Sequence, residues 1–140
     1  MAMVARHRGL FRDLPSDARL INVLGAYGQT GAEGTTQNGL IAMALLLGLR
    51  LNIHGPGPDL RWIDDHLGKD QLVIAQGNST GWSGVPTRHR SGHYVLVFKK
   101  EGQQYWLNDP LATAPLLKAP DELHNFIATH HRGGFQIAVR

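Results

Sequence analysis

Two side chains that could carry out proton transfer stand at the facing ends of two predicted strands. The first strand, Gly92–Phe98, opens with the histidine, and the second, Gln103–Asp109, closes with the aspartate. A hairpin-length connection that contains Gly102 separates them, so we expect antiparallel neighbours with His93 and Asp109 at the same open end. A carboxylate bound to one imidazole nitrogen leaves the other free to take a proton, as in serine and cysteine hydrolases.

The chain has no cysteine among its 140 residues. This excludes disulfides, thiolate metal sites and a cysteine nucleophile. The remaining histidines, such as His54 and the pair His130–His131, have no acidic partner at a regular ligand spacing and are expected at the surface. Asp64, Asp65 and His66 lie on one helical turn, where their side chains diverge. The sequence therefore predicts no metal site and no cofactor.

Four helices are predicted from the spacing of apolar residues and from capping residues. The second is apolar on almost every side, which predicts a central, buried helix, and Thr35 or Thr36 can cap its N-terminus. The predicted helices are Ser16–Tyr27, Gln37–Leu49, Asp59–Leu67 and Asp121–His130.

Two further strands are predicted, Gln71–Gln76 and Gly134–Val139, and the final three strands of the chain are expected to pair as an antiparallel sheet. The glycine-rich segment Gly77–Gly92 predicts a long loop that leads directly into His93. No repeat or linker divides the chain, so the sequence predicts one α+β domain over residues 1–140.

The composition is that of an ordinary globular protein, with 42% hydrophobic and 18% charged residues and a formal net charge of +3. The longest apolar stretch, Leu40–Leu49, is about half of what a bilayer-spanning helix needs, so no membrane span is expected. The first residues, Met1–Arg8, lack the apolar core of a secretory signal, which leaves the cytoplasm as the default location.

The only dense basic cluster is the triplet Arg88, His89 and Arg90, within the glycine-rich loop that also carries Trp82. A short triplet of this kind is usually a solvated loop. No basic stripe or array of exposed aromatic residues accompanies it, so nucleic-acid binding is not expected.

Three segments resemble the bacteriocin-processing peptidases of the papain-like class, which cleave after double-glycine leader peptides. Residues 38–48 (NGLIAMALLLG) are similar to the family helix that begins Cys-Gly and ends in Gly, and residues 92–98 (GHYVLVF) resemble its histidine strand. Residues 105–110 (YWLNDP) resemble its aspartate turn. The resemblance runs from about Gln29 to the last strand. It implies a papain-like fold in which a central N-terminal helix packs on an antiparallel sheet.

The resemblance also implies a role for each matching residue. His93 stands for the general base, Asp109 for the carboxylate that orients it, and Gln29 for the oxyanion-hole glutamine. Asn38 stands where the family has its nucleophilic cysteine. A carboxamide cannot form a thiolate and cannot be activated by an imidazole, so no acyl-enzyme can form there.

Two functional hypotheses follow from this substitution. In the first, the chain is a degenerate peptidase-like domain that binds a peptide or protein segment in the papain-like cleft, with Trp82 and the triplet Arg88–Arg90 at the rim. In the second, it is an active hydrolase or acyltransferase whose cysteine is replaced in this chain, or whose nucleophile is Thr35 or Thr36. A threonine at a helix N-terminus is more often a cap than a nucleophile.

Overall fold

The computed structural model of the protein describes residues 1–10, 26, 35–78 and 93–140. The chain divides into two compact units, Met1–Leu51 and Asn52–Arg140. Apart from residue 26, the predicted helix Ser16–Tyr27 lies outside the described residues, and so does most of the predicted loop Gly77–Gly92. The single domain over residues 1–140 stays a prediction.

In the described part of the first unit there are two helices, α1 (Ala2–His7) and α2 (Gln37–Leu46). Helix α2 begins where the sequence predicts, because the Thr36 hydroxyl accepts a hydrogen bond from the Gly39 N–H at 3.1 Å and caps the first turn. The helix ends three residues before the predicted Leu49. Gly48 follows it with φ +67°, a left-handed conformation that closes helices and favours glycine.

The expectation that α2 is a buried helix is wrong for one of its sides. Leu40, Met43 and Ala44 are buried, but Leu45 is 72% exposed and Leu46 is 38% exposed. Consecutive leucines near the end of a helix point to different sides, so a continuous apolar run does not ensure burial of each member. None of the helices in the described part of the chain is long and apolar enough to cross a bilayer.

The second unit is built on a six-stranded sheet. Its strands are β1 (Leu51–His54), β2 (Leu72–Gly77), β3 (His93–Glu101), β4 (Gln104–Asn108), β5 (Leu116–Lys118) and β6 (Gln136–Val139). They lie in the order β1-β6-β2-β3-β4-β5. The pairs β2–β3, β2–β6, β3–β4 and β4–β5 are antiparallel, and two helices pack on the sheet. The α+β class and the antiparallel sheet are therefore confirmed.

Strands β3 and β4 form the predicted hairpin. Their ladder pairs Leu96 with Asn108 and Glu101 with Gln104, and the turn passes through Gly102 at φ +59°. The pairing predicted for the last strand is wrong, because β6 pairs with β2, Val73 opposite Ala138, and has no ladder with the hairpin. Sequence order does not determine which neighbour a distant strand selects in an antiparallel sheet.

The two edge strands, β1 and β5, were not predicted from the sequence. Each is short, with four and three residues respectively: β1 alternates apolar and polar residues over only four residues, and β5 does not alternate. Strand β5 extends the hairpin by pairing with β4, Trp106 opposite Leu117.

Helices α3 (Leu60–Leu67) and α4 (Pro120–Ala128) supply one side of the core. The Asp59 carboxylate caps α3 by accepting from the Trp62 N–H at 3.0 Å, as the sequence predicts. The buried residues that pack together come from both helices and from four strands of the sheet: Ile63, Val73, Ala75, Val95, Val97, Tyr105, Leu107, Leu123, Phe126, Ile127 and Ala138.

A polar contact ties α3 to the β3–β4 hairpin at the border of this core. The Asp64 carboxylate accepts from the Tyr105 hydroxyl at 2.8 Å and from the Lys100 ammonium group. Burial raises the pKa of Tyr105, and the neighbouring carboxylate raises it further, because it accepts the hydroxyl proton and repels a phenolate. The hydroxyl therefore stays protonated and keeps the helix bonded to the hairpin.

The turn between α4 and β6 is organised by His130, a residue predicted at the surface that is 7% exposed. Its Nδ1 accepts hydrogen bonds from the backbone N–H groups of Arg132 at 3.2 Å and Gly134 at 3.4 Å. Burial lowers the pKa of His130, and the neighbouring His131 and Arg132 lower it further. The folded chain thus favours the neutral imidazole. His66, 8% exposed, is likewise buried against expectation.

The His130 turn predicts that the fold weakens in mild acid. Because the folded pKa lies below the unfolded value of about 6.5, the stabilisation is complete above that pH and is lost as the pH falls through the folded pKa. Protonation would also place a hydrogen on Nδ1, which could then no longer accept the hydrogen bonds from the Arg132 and Gly134 N–H groups. Urea unfolding at pH 7.5 and pH 5.5 measures the loss. His130→Asn, whose Oδ1 can accept the same bonds, should lose less on acidification, and equal losses would contradict the assignment.

Candidate functional site

The structure brings His93 and Asp109 together at the open end of the β3–β4 hairpin. His93 is the first residue of β3, and Asp109 directly follows the last residue of β4. The His93 Nε2 lies 2.8 Å from the Asp109 Oδ1, which is a short hydrogen bond between side chains that are 10% and 0% exposed. The antiparallel pairing of two strands joined by a tight turn produces this contact.

Asp109 is held rigidly by the chain that follows it. Its Oδ1 also accepts from the Leu111 N–H at 2.8 Å, and its backbone carbonyl accepts from the Ala112 N–H at 3.0 Å. These bonds close a turn of the kind that aspartate favours. The second carboxylate oxygen, Oδ2, is buried and has no hydrogen-bond partner among the described residues. Both donors therefore converge on one oxygen.

The hydrogen-bond pattern assigns separate roles to the two imidazole nitrogens of His93. A carboxylate only accepts, so Nε2 carries the hydrogen in its bond to Asp109. The other nitrogen, Nδ1, is then the one that can take up a proton from a reacting group. The arrangement has the geometry of an oriented general base.

Residues of β2 and α4 lie beside His93. Gly77, the last residue of β2, is paired directly opposite His93. The Phe126 ring contacts the imidazole edge to face, with centroids 6.3 Å apart and planes at 86°. The sequence did not single out Gly77 or Phe126. A signal was present for Gly77, since a glycine at the end of the strand that pairs with the histidine strand leaves space beside the imidazole.

Asn38 is the second residue of α2 and is exposed. It lies in the first turn of the helix, where backbone N–H groups lack helical partners and the helix dipole favours negative charge. This environment lowers the pKa of a cysteine thiol, but a carboxamide has no proton to lose in this range. Helix α2 thus has a position suited to a thiolate and no thiol there.

The other predicted site residues lie outside the described part of the chain. They are Gln29, Trp82, Arg88, His89 and Arg90. Their predicted roles, oxyanion stabilisation for the glutamine and peptide contacts for the others, stay predictions. Among the described residues no group of three histidine, aspartate or glutamate side chains is placed to hold a metal ion.

The position of Asp109 leads to a stability prediction with its own control. Asp109→Ala should leave two partly buried donors, the His93 Nε2–H and the Leu111 N–H, without their acceptor, at a cost of about 1–3 kcal/mol in the free energy of unfolding. Asp109→Asn keeps an oxygen that accepts from both, so we expect it to lose less than about 1 kcal/mol. Urea unfolding separates the two variants, and equal losses would show that the accepted bonds do not stabilise the fold.

Comparison with solved structures places the fold. The peptidase domain of Streptococcus ComA, a bi-functional ABC transporter involved in a quorum sensing pathway, matches with a TM-score of 0.66 and 19% identity over 99% of this chain and 85% of that chain. A protein of Bacillus anthracis described as a C39-like peptidase matches with a TM-score of 0.57 and 12% identity, over 76% of this chain and 60% of that chain. Neither a protein-family model nor a curated protein matches the sequence. The resemblance seen in the sequence is confirmed at the level of the fold: this chain has the papain-like α+β fold of the C39 peptidase domains.

Proposed function

We propose that this chain is a peptidase-like domain that binds a peptide or protein segment and does not cleave it. The segment would bind where a papain-like peptidase holds its substrate, with Asn38 in the place of the nucleophile. The observation that supports this proposal is the formed His93–Asp109 pair, joined at 2.8 Å, in a chain that has no cysteine.

The proposal rests on the chemistry that the pair can and cannot perform. An oriented base accelerates acyl transfer only when it activates a nucleophile, and an asparagine amide is not one. Binding needs no nucleophile, because an extended segment can be held by backbone hydrogen bonds and side-chain pockets. The geometry of the pair is therefore compatible with recognition even though the covalent step is missing.

The alternative hypothesis is that Thr35 or Thr36 acts as the nucleophile. For Thr36 the structure shows a different use. The Thr36 hydroxyl accepts from the Gly39 N–H and caps α2, which is the ordinary use of a threonine at this position. An internal threonine also lacks the free amine that activates N-terminal threonine nucleophiles. We therefore propose the binding function, and hydrolysis by the natural chain is the outcome that would replace it.

A binding experiment with intact peptides tests the proposal. The natural chain is mixed with a synthetic library of decapeptides and passed over a size-exclusion column, and co-eluting peptides are identified by mass. We expect a subset of peptides to be retained at full length. Asn38→Trp should weaken their binding at least about 10-fold by filling the proposed place of the nucleophile, whereas Leu45→Trp, also exposed on α2, should not. No retained peptide, or equal binding by both variants, would contradict the proposal.

A further inference from the structure

The packing behind His93 depends on the absence of a side chain at the opposite residue of β2. A Cβ added at Gly77 would lie closer than 3.0 Å to the Phe126 ring and to the Phe126 carbonyl oxygen. The ring therefore takes the space that a side chain at residue 77 would fill. In an antiparallel ladder, side chains of directly opposite residues lie on the same face of the sheet, so this space is beside the imidazole.

Phe126 is fixed at this place by its own backbone. Its carbonyl oxygen accepts from the Asn78 N–H at 2.8 Å, directly after the end of β2. The side chain is 2% exposed and belongs to the buried cluster shared by α3, α4 and the sheet. The end of α4 and the end of β2 are thus joined at the point where the ring meets His93.

The imidazole is held by two contacts of different kinds. Asp109 fixes the direction of Nε2, and the edge-to-face contact with Phe126 fixes the plane of the ring. A hydrogen bond in a site without water is electrostatically stronger than the same bond in contact with water. The Phe126 ring can therefore protect the His93–Asp109 hydrogen bond from water as well as orient the imidazole.

We infer that Phe126 is a positioning residue for the His93–Asp109 pair. Because Gly77 has no side chain, the Phe126 ring can lie against the His93 imidazole. The ring keeps Nε2 directed towards Asp109 and keeps water away from the hydrogen bond between Nε2 and the Asp109 carboxylate. This inference concerns the same pair as the proposed function, but it is a property of the free protein. It can fail while peptide binding holds, and it can hold where no peptide binds.

The test follows the Nε2–H proton of His93 by NMR in the protein without peptide. In the natural chain we expect a resolved Nε2–H signal that exchanges slowly with water, and ring nitrogen shifts of a single tautomer. Phe126→Leu should accelerate this exchange at least about 10-fold and average the nitrogen shifts between tautomers. Where Phe126→Leu does not fold, Phe126→Met, which is closer to isosteric with the core, takes its place with the same expectation.

Leu123→Ala controls for general loosening of the core. Leu123 is 0% exposed on the same helix, and its truncation removes a large buried side chain without touching the aromatic contact. It should leave the Nε2–H exchange within about twofold of the natural chain under conditions where the amide spectrum shows a folded protein. The inference is overturned if the natural chain shows no protected Nε2–H, if the Phe126 variant keeps it, or if Leu123→Ala loses it equally.

Discussion

Replacing Asn38 by cysteine is expected to create an unusually acidic and reactive thiol. The helix N-terminus favours a thiolate. The resemblance to the bacteriocin-processing peptidases implies that the His93 imidazole acts on a thiol at this position. A free thiol with a pKa of about 8.5 is less than about 1% ionised at pH 6, whereas one with a pKa near 7 is about 10% ionised. We expect alkylation at pH 6 to be about 5-fold faster than at an ordinary exposed cysteine, after allowing for the lower nucleophilicity of an acidic thiolate.

The absence of natural cysteines makes this measurement direct, because the introduced thiol is the only one in the protein. The rate of iodoacetamide addition is followed by mass from pH 4 to pH 9. Leu45→Cys is the matched control, since Leu45 is exposed near the other end of the same helix. Combining Asn38→Cys with His93→Ala should return most of the rate to the control value. Identical pH profiles for Asn38→Cys with and without His93 would show that the histidine does not act on this position.

Replacing Gly134 by alanine is expected to cause a severe loss of stability through a single added methyl group. Gly134 has φ +57°, and an added Cβ would meet the Gln76 carbonyl oxygen and lie 2.7 Å from the Ile127 carbonyl oxygen. The left-handed conformation costs about 1–2 kcal/mol for a residue with a Cβ, and overpacking against backbone adds about 1–3 kcal/mol. We therefore expect the free energy of unfolding, measured in urea, to fall by about 2–5 kcal/mol.

Gly102 offers a control with nearly the same backbone conformation. Its φ is +59°, but an added Cβ would meet nothing within 4 Å. Gly102→Ala should therefore show the conformational cost alone, about 1–2 kcal/mol. The difference between the two variants isolates the close approach of the α4–β6 turn to β2, and equal losses would mean that the turn moves aside without cost.

The parts of the fold that were predictable from the sequence are those set by local chemistry. Asp59 caps α3, Thr36 caps α2, and Gly102 turns the hairpin, each through contacts within a few residues. The meeting of His93 with Asp109 followed from the same local hairpin. A short connection between two strands fixes which ends are adjacent, so the most important contact of the candidate site needed no knowledge of distant packing.

The parts that were not predictable depend on contacts between distant segments. Strand β6 joins β2, and the edge strands β1 and β5 have only four and three residues, too few for a strand prediction. His130 is buried because two backbone N–H groups of its turn donate to Nδ1. The spacing of apolar residues along the sequence gives no sign of these bonds. Phe126 reads as an ordinary core residue of an amphipathic helix, and only the register of Gly77 opposite His93 gives it a place beside the imidazole.

Peptide cleavage, measured side by side with three proteins, tests whether this chain lacks only the nucleophile of a peptidase. The natural chain, Asn38→Cys, and Asn38→Cys combined with His93→Ala are incubated with the same decapeptide library, supplemented with peptides that contain two consecutive glycines. New peptide termini are counted by mass. We expect no cleavage by the natural chain, cleavage by Asn38→Cys, and none when His93 is also removed. Cleavage by the natural chain that disappears in His93→Ala would contradict this expectation, because the oriented histidine would then be activating a nucleophile that this chain already possesses.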